Sequence, residues 1–276
     1  MSFRIVLAAL CLACVATKSI AADPPREVIL VPAVYYDVPG AFGSNWSSHL
    51  WVTNGLERAL SLYFEVSGEV IDCGASIPCG HDRLLAPGAA EELHPDNRDF
   101  AFALPSRLLY VNADVAAQVS FSLGVRDSSR AETTWGTSIP VVRSRDVRRG
   151  ATWFAPIPLT SGFRLSIRIY RFTERFCDDV RTFRVRLFKT KDGSTISSMT
   201  LPWTWADGSH CDSDADSSFP WYAASYDLTG DLPAGVIPDD AGIEVIPPDG
   251  DVPYWTMMTV TSDITQHVTV IVPGAE

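Results

Sequence analysis

The sequence predicts an all-β chain built as two tandem sandwich modules behind an export signal. Three observations predict it. Apolar and polar residues alternate with period two in short runs through most of the chain, the pattern of a strand with one buried face. The 19 prolines and 18 glycines fall mostly between those runs, where turns need them. The pattern also occurs twice, once on each side of an arginine-rich joint at Arg143 to Arg149.

The chain opens with Met1-Ser-Phe-Arg4, an apolar run Ile5 to Ala16, and small residues Ala21-Ala22 before Asp23. This order of charged, apolar and small residues is that of a cleaved secretory signal, residues 1–22. The apolar run is too short to span a bilayer, which takes roughly 20 residues. Cleavage would remove Arg4 and Lys18 and no acid, making the chain two charges more negative than its −11. Nucleic acid and anionic lipid need clustered cations to displace counterions, so neither is an expected partner, and no second apolar span implies membrane insertion. The expected location is secreted or periplasmic.

Residues 23–146 form the first predicted sandwich. Leu60, Leu62, Phe64 and Val66 alternate with Ser61, Tyr63 and Glu65; Val119, Phe121, Leu123 and Val125 alternate with Gln118, Ser120 and Ser122. Residues 147–276 form the second. There Phe163, Leu165, Ile167 and Ile169 alternate with Arg164, Ser166, Arg168 and Tyr170, which are expected to face outward. Phe183, Val185 and Leu187 follow, and Val268, Val270 and Val272 supply the last strand.

The two halves overlay. Trp46, Ser48, Leu50 and Val52 fall on Phe163 to Ile169, the Leu60 strand falls on the Phe183 strand, and the closing pair 119–125 and 139–142 falls on 255–260 and 267–273. Such a period marks an internal repeat. The arginines between the halves read as a solvated linker or an interface to acidic neighbours.

Cys73, Cys79, Cys177 and Cys211 remain after cleavage. An even count in an exported chain favours disulfides, and the simplest of the three pairings keeps each bridge within its half. Neither pair has the Cys-x-x-Cys spacing of a zinc site.

The segment from Leu201 to Tyr222 is the predicted ligand site. Trp203, Trp205, Trp221 and Tyr222 offer flat faces on which a sugar ring stacks, beside carboxylates that accept its hydroxyl hydrogens. The competing reading buries these aromatics in the core. Asp212, Asp214 and Asp216 alternate like the start of a calcium loop, although Ser217 and Ala223 stand where an EF-hand wants glycine and a carboxylate. The leading reading is an acidic, flexible surface loop; calcium is the alternative, with backbone oxygens completing a different loop, and no other cofactor is implied.

Gly40-Ala-Phe-Gly43-Ser-Asn-Trp46, the strand end Thr53-Asn54 and the closing Gly136-Thr-Ser-Ile-Pro-Val-Val142 resemble poorly characterised secreted bacterial proteins with paired immunoglobulin-like modules. The resemblance implies export and two immunoglobulin-like sandwiches, and no catalytic residue.

The chain has no Gly-x-Ser-x-Gly, no His-Glu-x-x-His and no phosphate-binding or dinucleotide glycine loop. The leading expectation is a non-enzymatic binding or adhesion module for a saccharide or partner protein. A chaperone-like assembly component acting by strand addition and a hydrolase on a β scaffold are the alternatives.

Overall fold

The computed structural model describes residues 25–35, 37–64, 83–93, 107–130, 136–157, 162–172, 182–202, 221–228, 240–248 and 253–273. Among these residues the chain is all-β, with antiparallel sheets, short 3-10 turns and no α-helix. No helix among them is long and apolar enough to cross a membrane. The four cysteines and the three aspartates of the calcium pattern lie outside the described residues.

In the first half the strands are β1 (Arg26–Val31), β2 (Val38–Pro39), β3 (Asn45–Asn54), β4 (Leu60–Phe64), β5 (Arg83–Leu85), β6 (Ala90–Leu93), β7 (Arg107–Asn112), β8 (Val119–Asp127), β9 (Thr137–Ile139) and β10 (Val142–Arg143). One sheet runs β10-β1-β7-β4-β5 and the other β2-β3-β8-β9, with β6 also on β3. The long β3 shares one edge between two short partners: Val38 and Pro39 face Trp46 and Asn45, while β6 faces Leu50 to Thr53.

The second half contains β11 (Thr152–Phe154), β12 (Phe163–Phe172), β13 (Thr182–Lys189), β14 (Thr195–Pro202), β15 (Trp221–Asp227), β16 (Ala241–Ile246), β17 (Tyr254–Ser262) and β18 (Val268–Ile271). Its sheets run β11-β16-β13-β14 and β15-β12-β17-β18. Setting aside the two-residue β2 and β10, both halves have one strand order, first-sixth-third-fourth and fifth-second-seventh-eighth. The overlay read from the sequence pairs the same strands: β3 with β12, β4 with β13, β8 with β17 and β9 with β18.

Alternation places the cores. Leu50, Val52, Leu60, Leu62, Leu109, Val119 and Leu123 join the apolar residues of β1 in one buried cluster. Leu165, Ile167, Ile169, Phe183, Val185, Leu187, Ile243, Val245, Met258 and Val260 form another. The joint between them is not a free linker. Arg143 donates from Nη1 to Glu27 (2.9 Å) and to the Ala116 carbonyl (2.8 Å), and from Nη2 to the Val119 carbonyl, so this arginine packs as an interface to an acid. Arg148 then pairs with Tyr254 through two backbone hydrogen bonds of 2.8 Å.

Three sequence expectations change. Ile139 to Val142 is two strands: Ile139 pairs with Leu123 in one sheet, and beyond Pro140 the chain crosses so that Val142 pairs with Leu30 in the other. Phe163, expected inward, is exposed at the start of β12, with Arg164 on its exposed neighbour Phe42. Tyr170, expected outward, is completely buried. The cause of the last is that β12 and β17 are covered on both faces. Ile167 and Met258 point into the second cluster, whereas Tyr170, Trp255 and Met257 belong to the first. A sheet covered on both sides shows buried residues at consecutive positions, and β17 is buried from Tyr254 through Met258.

Asp127 closes β8 and ties it to β3. Its Oδ1 accepts from the Asn45 amide (2.8 Å), the Ser129 amide (3.1 Å) and the Ser129 hydroxyl (2.6 Å), and Arg130 Nε lies 3.6 Å from Oδ2. Burial favours the neutral acid, but these hydrogen bonds with the Arg130 charge hold the carboxyl below its usual range. A group whose pKa falls on folding contributes stability above its unfolded value, near pH 3.9, and that contribution is lost as pH falls through the native value. Asp127→Asn should therefore lower stability at pH 7 and flatten its decline below about pH 4. Urea unfolding across the acid range reads both effects.

Candidate functional site

A cleft of about 290 Å³ opens where the two halves meet. Its first wall comes from the first half: Tyr35, Val38, Ser44, Trp46, Val125, Thr137 and Ile139. Opposite lies the outer face of β12, β17 and β18 with the turn between the last two: Arg164, Ser166, Arg168, Met257, Thr259, Thr261, Gln266 and Val268. Strand register explains this face. Ser166 is opposite Thr259 and Arg168 is opposite Met257, so one row of β12 and one row of β17 point together into the cleft.

The glycine-rich turn before β3 sets the first wall. Gly40 donates its amide to the Ser44 carbonyl (2.8 Å), and a Cβ on Gly40 would sit 2.3 Å from Ser44 Oγ and 2.5 Å from Trp46 Nε1. Only glycine lets the backbone lie that close to the indole. Gly40→Ala should push Trp46 out of its place on the wall, at a cost of about 1–3 kcal/mol. A changed tryptophan emission maximum in the folded variant is the measurement.

Among the described residues, direct hydrogen bonds join the halves at the cleft. The Tyr170 hydroxyl donates to the Pro32 carbonyl, and Arg130 Nη1 donates to the Thr265 carbonyl (3.0 Å). Burial pushes the Tyr170 phenol up, so it stays a neutral donor at any physiological pH. Its ring stacks in a tilted pair with Trp255, centroids 5.5 Å apart. Aromatic side chains of this kind bury roughly 150–250 Å² each, worth about 4–6 kcal/mol apiece as an upper bound. Contacts of that size oppose the hinge motion otherwise expected of two linked units.

Charge in the cleft is unevenly met. Arg164 donates from Nε to Asp263 (2.8 Å) and from Nη2 to the Gln266 side-chain oxygen (2.7 Å). Arg168 has no such acid: its guanidinium sits 5.4 Å from the Tyr35 ring centroid, and its Nε and Nη1 are shielded from solvent without an acceptor. Ser166 and Thr259 hydroxyls bond each other at 2.6 Å between the two arginines' rows.

The residues chosen from the sequence lie elsewhere. Trp203 and Trp205 are outside the described residues, and Trp221 and Tyr222 are described as backbone only, where β15 pairs them with Phe172 and Arg171 of β12. Asp212, Asp214 and Asp216 are likewise outside, and among the described residues no three histidines, cysteines or acids gather as a metal site. His49 of β3 pairs with Glu92 of the adjacent β6, and Arg83 of β5 pairs with Glu91 of β6, from one sheet to the other. Arg164 and Arg168 escape a sequence-based choice of site residues because their alternation reads as an outer face. The available signal is on the partner strand, where Trp255 and Met257 put large apolar groups on that same face.

Comparison of the chain with protein-family models, with curated proteins and with solved structures gives no match.

Proposed function

We propose that this chain is an exported, non-enzymatic binding or adhesion module made of two immunoglobulin-like sandwich domains, residues 23–146 and 147–276, and that it takes a saccharide or partner-protein ligand. The observation that carries the reading is the cleft between the halves, concave, walled by apolar groups and carrying a few converging polar ones, which is the usual make-up of a binding site. Repetition of one strand order in both halves supports the two-domain plan, and two separate buried clusters support it further. The signal at 1–22 supports a secreted or periplasmic location, in keeping with the resemblance to secreted proteins of paired modules.

The cleft competes with the aromatic segment of Trp203, Trp205, Trp221 and Tyr222 for the ligand. Screening the mature protein on a glycan array and against extracellular proteins, with two variants in parallel, separates them. Thr259→Trp fills the cleft and should abolish binding while the Trp205→Ala, Trp221→Ala double variant retains it. The opposite result would move the site to the aromatic segment, and no ligand on either screen would rule out a saccharide or partner protein as the ligand.

A further inference from the structure

Resting on the cleft reading, we propose that the cleft accepts a small organic carboxylate, its anionic group against Arg168 and its apolar body against Trp46 and Ile139. A guanidinium is charged at every physiological pH, and removing it from water without a counter-charge is costly. Arg168 lines the cleft with Nε and Nη1 shut off from solvent and from any acceptor. Among the described residues its polar neighbours are the hydroxyls of Tyr35 and Tyr170, with no carboxylate beside them. The Tyr35 ring face beside it adds a weak cation-π contact.

Among the described residues, the lining of the cleft contains no aspartate or glutamate, although the chain carries 33 acids against 22 cations. The other cation of the floor is already satisfied, since Arg164 is paired with Asp263. One uncompensated positive charge is left facing a concave space. A carboxylate placed there would neutralise that charge in a partly desolvated site, where the attraction between opposite charges is strongest.

The walls choose the rest of the molecule. Val38, Trp46, Val125, Ile139 and Met257 are apolar, and the hydroxyls of Ser166 and Thr259 are already engaged with each other. A neutral sugar would leave the charge of Arg168 unmet. Phosphate would bring a second negative charge to a single cation. The volume, about 290 Å³, is at the lower end of the roughly 300–1,000 Å³ typical of small-molecule sites, which suits a short aliphatic or single-ring acid.

The test is a calorimetric titration of the full mature protein with hexanoate and benzoate, each beside its amide, hexanamide and benzamide. Each carboxylate is expected to bind saturably and at least tenfold more tightly than its amide, with the gap narrowing as salt is raised. In Arg168→Gln that preference should vanish, and Arg168→Lys should keep part of it. Equal affinity of acid and amide, absence of saturation by either acid, or an undiminished preference in Arg168→Gln would each overturn the proposal. Because the acid and amide comparison uses the unmodified protein, it decides the matter even if a variant fails to fold. Saturable binding of a neutral glycan blocked by Thr259→Trp, with no preference for the acids, would overturn the carboxylate and leave the binding module intact.

Discussion

Asn54→Ala is expected to cost about 3–5 kcal/mol of folding stability, a larger effect than a surface polar residue could give. Asn54 ends β3 with no solvent exposure. Its side-chain amide donates to the carbonyls of Arg58 (2.9 Å), Ala86 (2.9 Å) and Leu85 (3.2 Å), and its side-chain oxygen accepts from the Leu56 amide (2.9 Å). One side chain thus satisfies backbone groups of two separate chain segments. Each backbone group left buried and unpaired costs roughly 1–3 kcal/mol. Asn54→Asp is the sharper variant because it keeps the shape and removes the two donors. Its second oxygen would face carbonyl oxygens, so at pH 7 it should be at least as damaging as alanine, with partial recovery in acid as the carboxyl takes a proton. Urea denaturation at pH 7 and pH 4.5 checks both. A loss under about 1 kcal/mol for the alanine variant would mean that water replaces the amide and that the bracket is dispensable.

Tyr170→Ala is expected to cost a comparable amount, about 3–5 kcal/mol, through a cavity at the seam between the halves. The ring packs on Trp255 and is fully buried in the cluster made mostly of first-half residues. Tyr170→Phe keeps the ring and loses the hydroxyl with its bond to the Pro32 carbonyl and its contact with Arg168, so it should cost about 1–3 kcal/mol, the value of leaving a buried polar group unpaired. The pair of variants separates packing from hydrogen bonding. Calorimetry adds a second readout. If the seam couples the halves, the alanine variant should split a single unfolding transition into two. A single transition with unchanged midpoint would show that the halves are joined by other contacts.

Both residues are visible in the sequence, but not equally. Asn54 sits at the end of a strand whose apolar alternation is plain. Its work as a bracket for residues 56, 58, 85 and 86 is not legible, because a side chain that bonds backbone across some thirty residues leaves no periodic trace. Tyr170 reads as outward because the alternation of β12 places it opposite to Ile167 and Ile169. That reading is correct for a sheet with one wet face. It fails where the second face is covered by another part of the chain.

The same reason separates the two candidate sites. Aromatic residues close together in sequence draw attention to Leu201 to Tyr222, and proximity along the chain is all that composition can report. The cleft instead gathers Trp46, Ile139, Arg168 and Thr259 from four strands. Arg168 looks like any solvated strand arginine until the first half is placed against it.

By itself the sequence determined the all-β class, the twice-repeated alternation and the strands that correspond between the halves, because period-two burial is a local property that each strand writes into its own residues. Only the tertiary structure decided that the outer face of β12 and β17 is an inner one, that Arg143 is a packed bracket, and that an unmatched cation faces a cleft. Those facts depend on which surfaces meet, and contact between residues far apart along the chain carries no local pattern for the sequence to show.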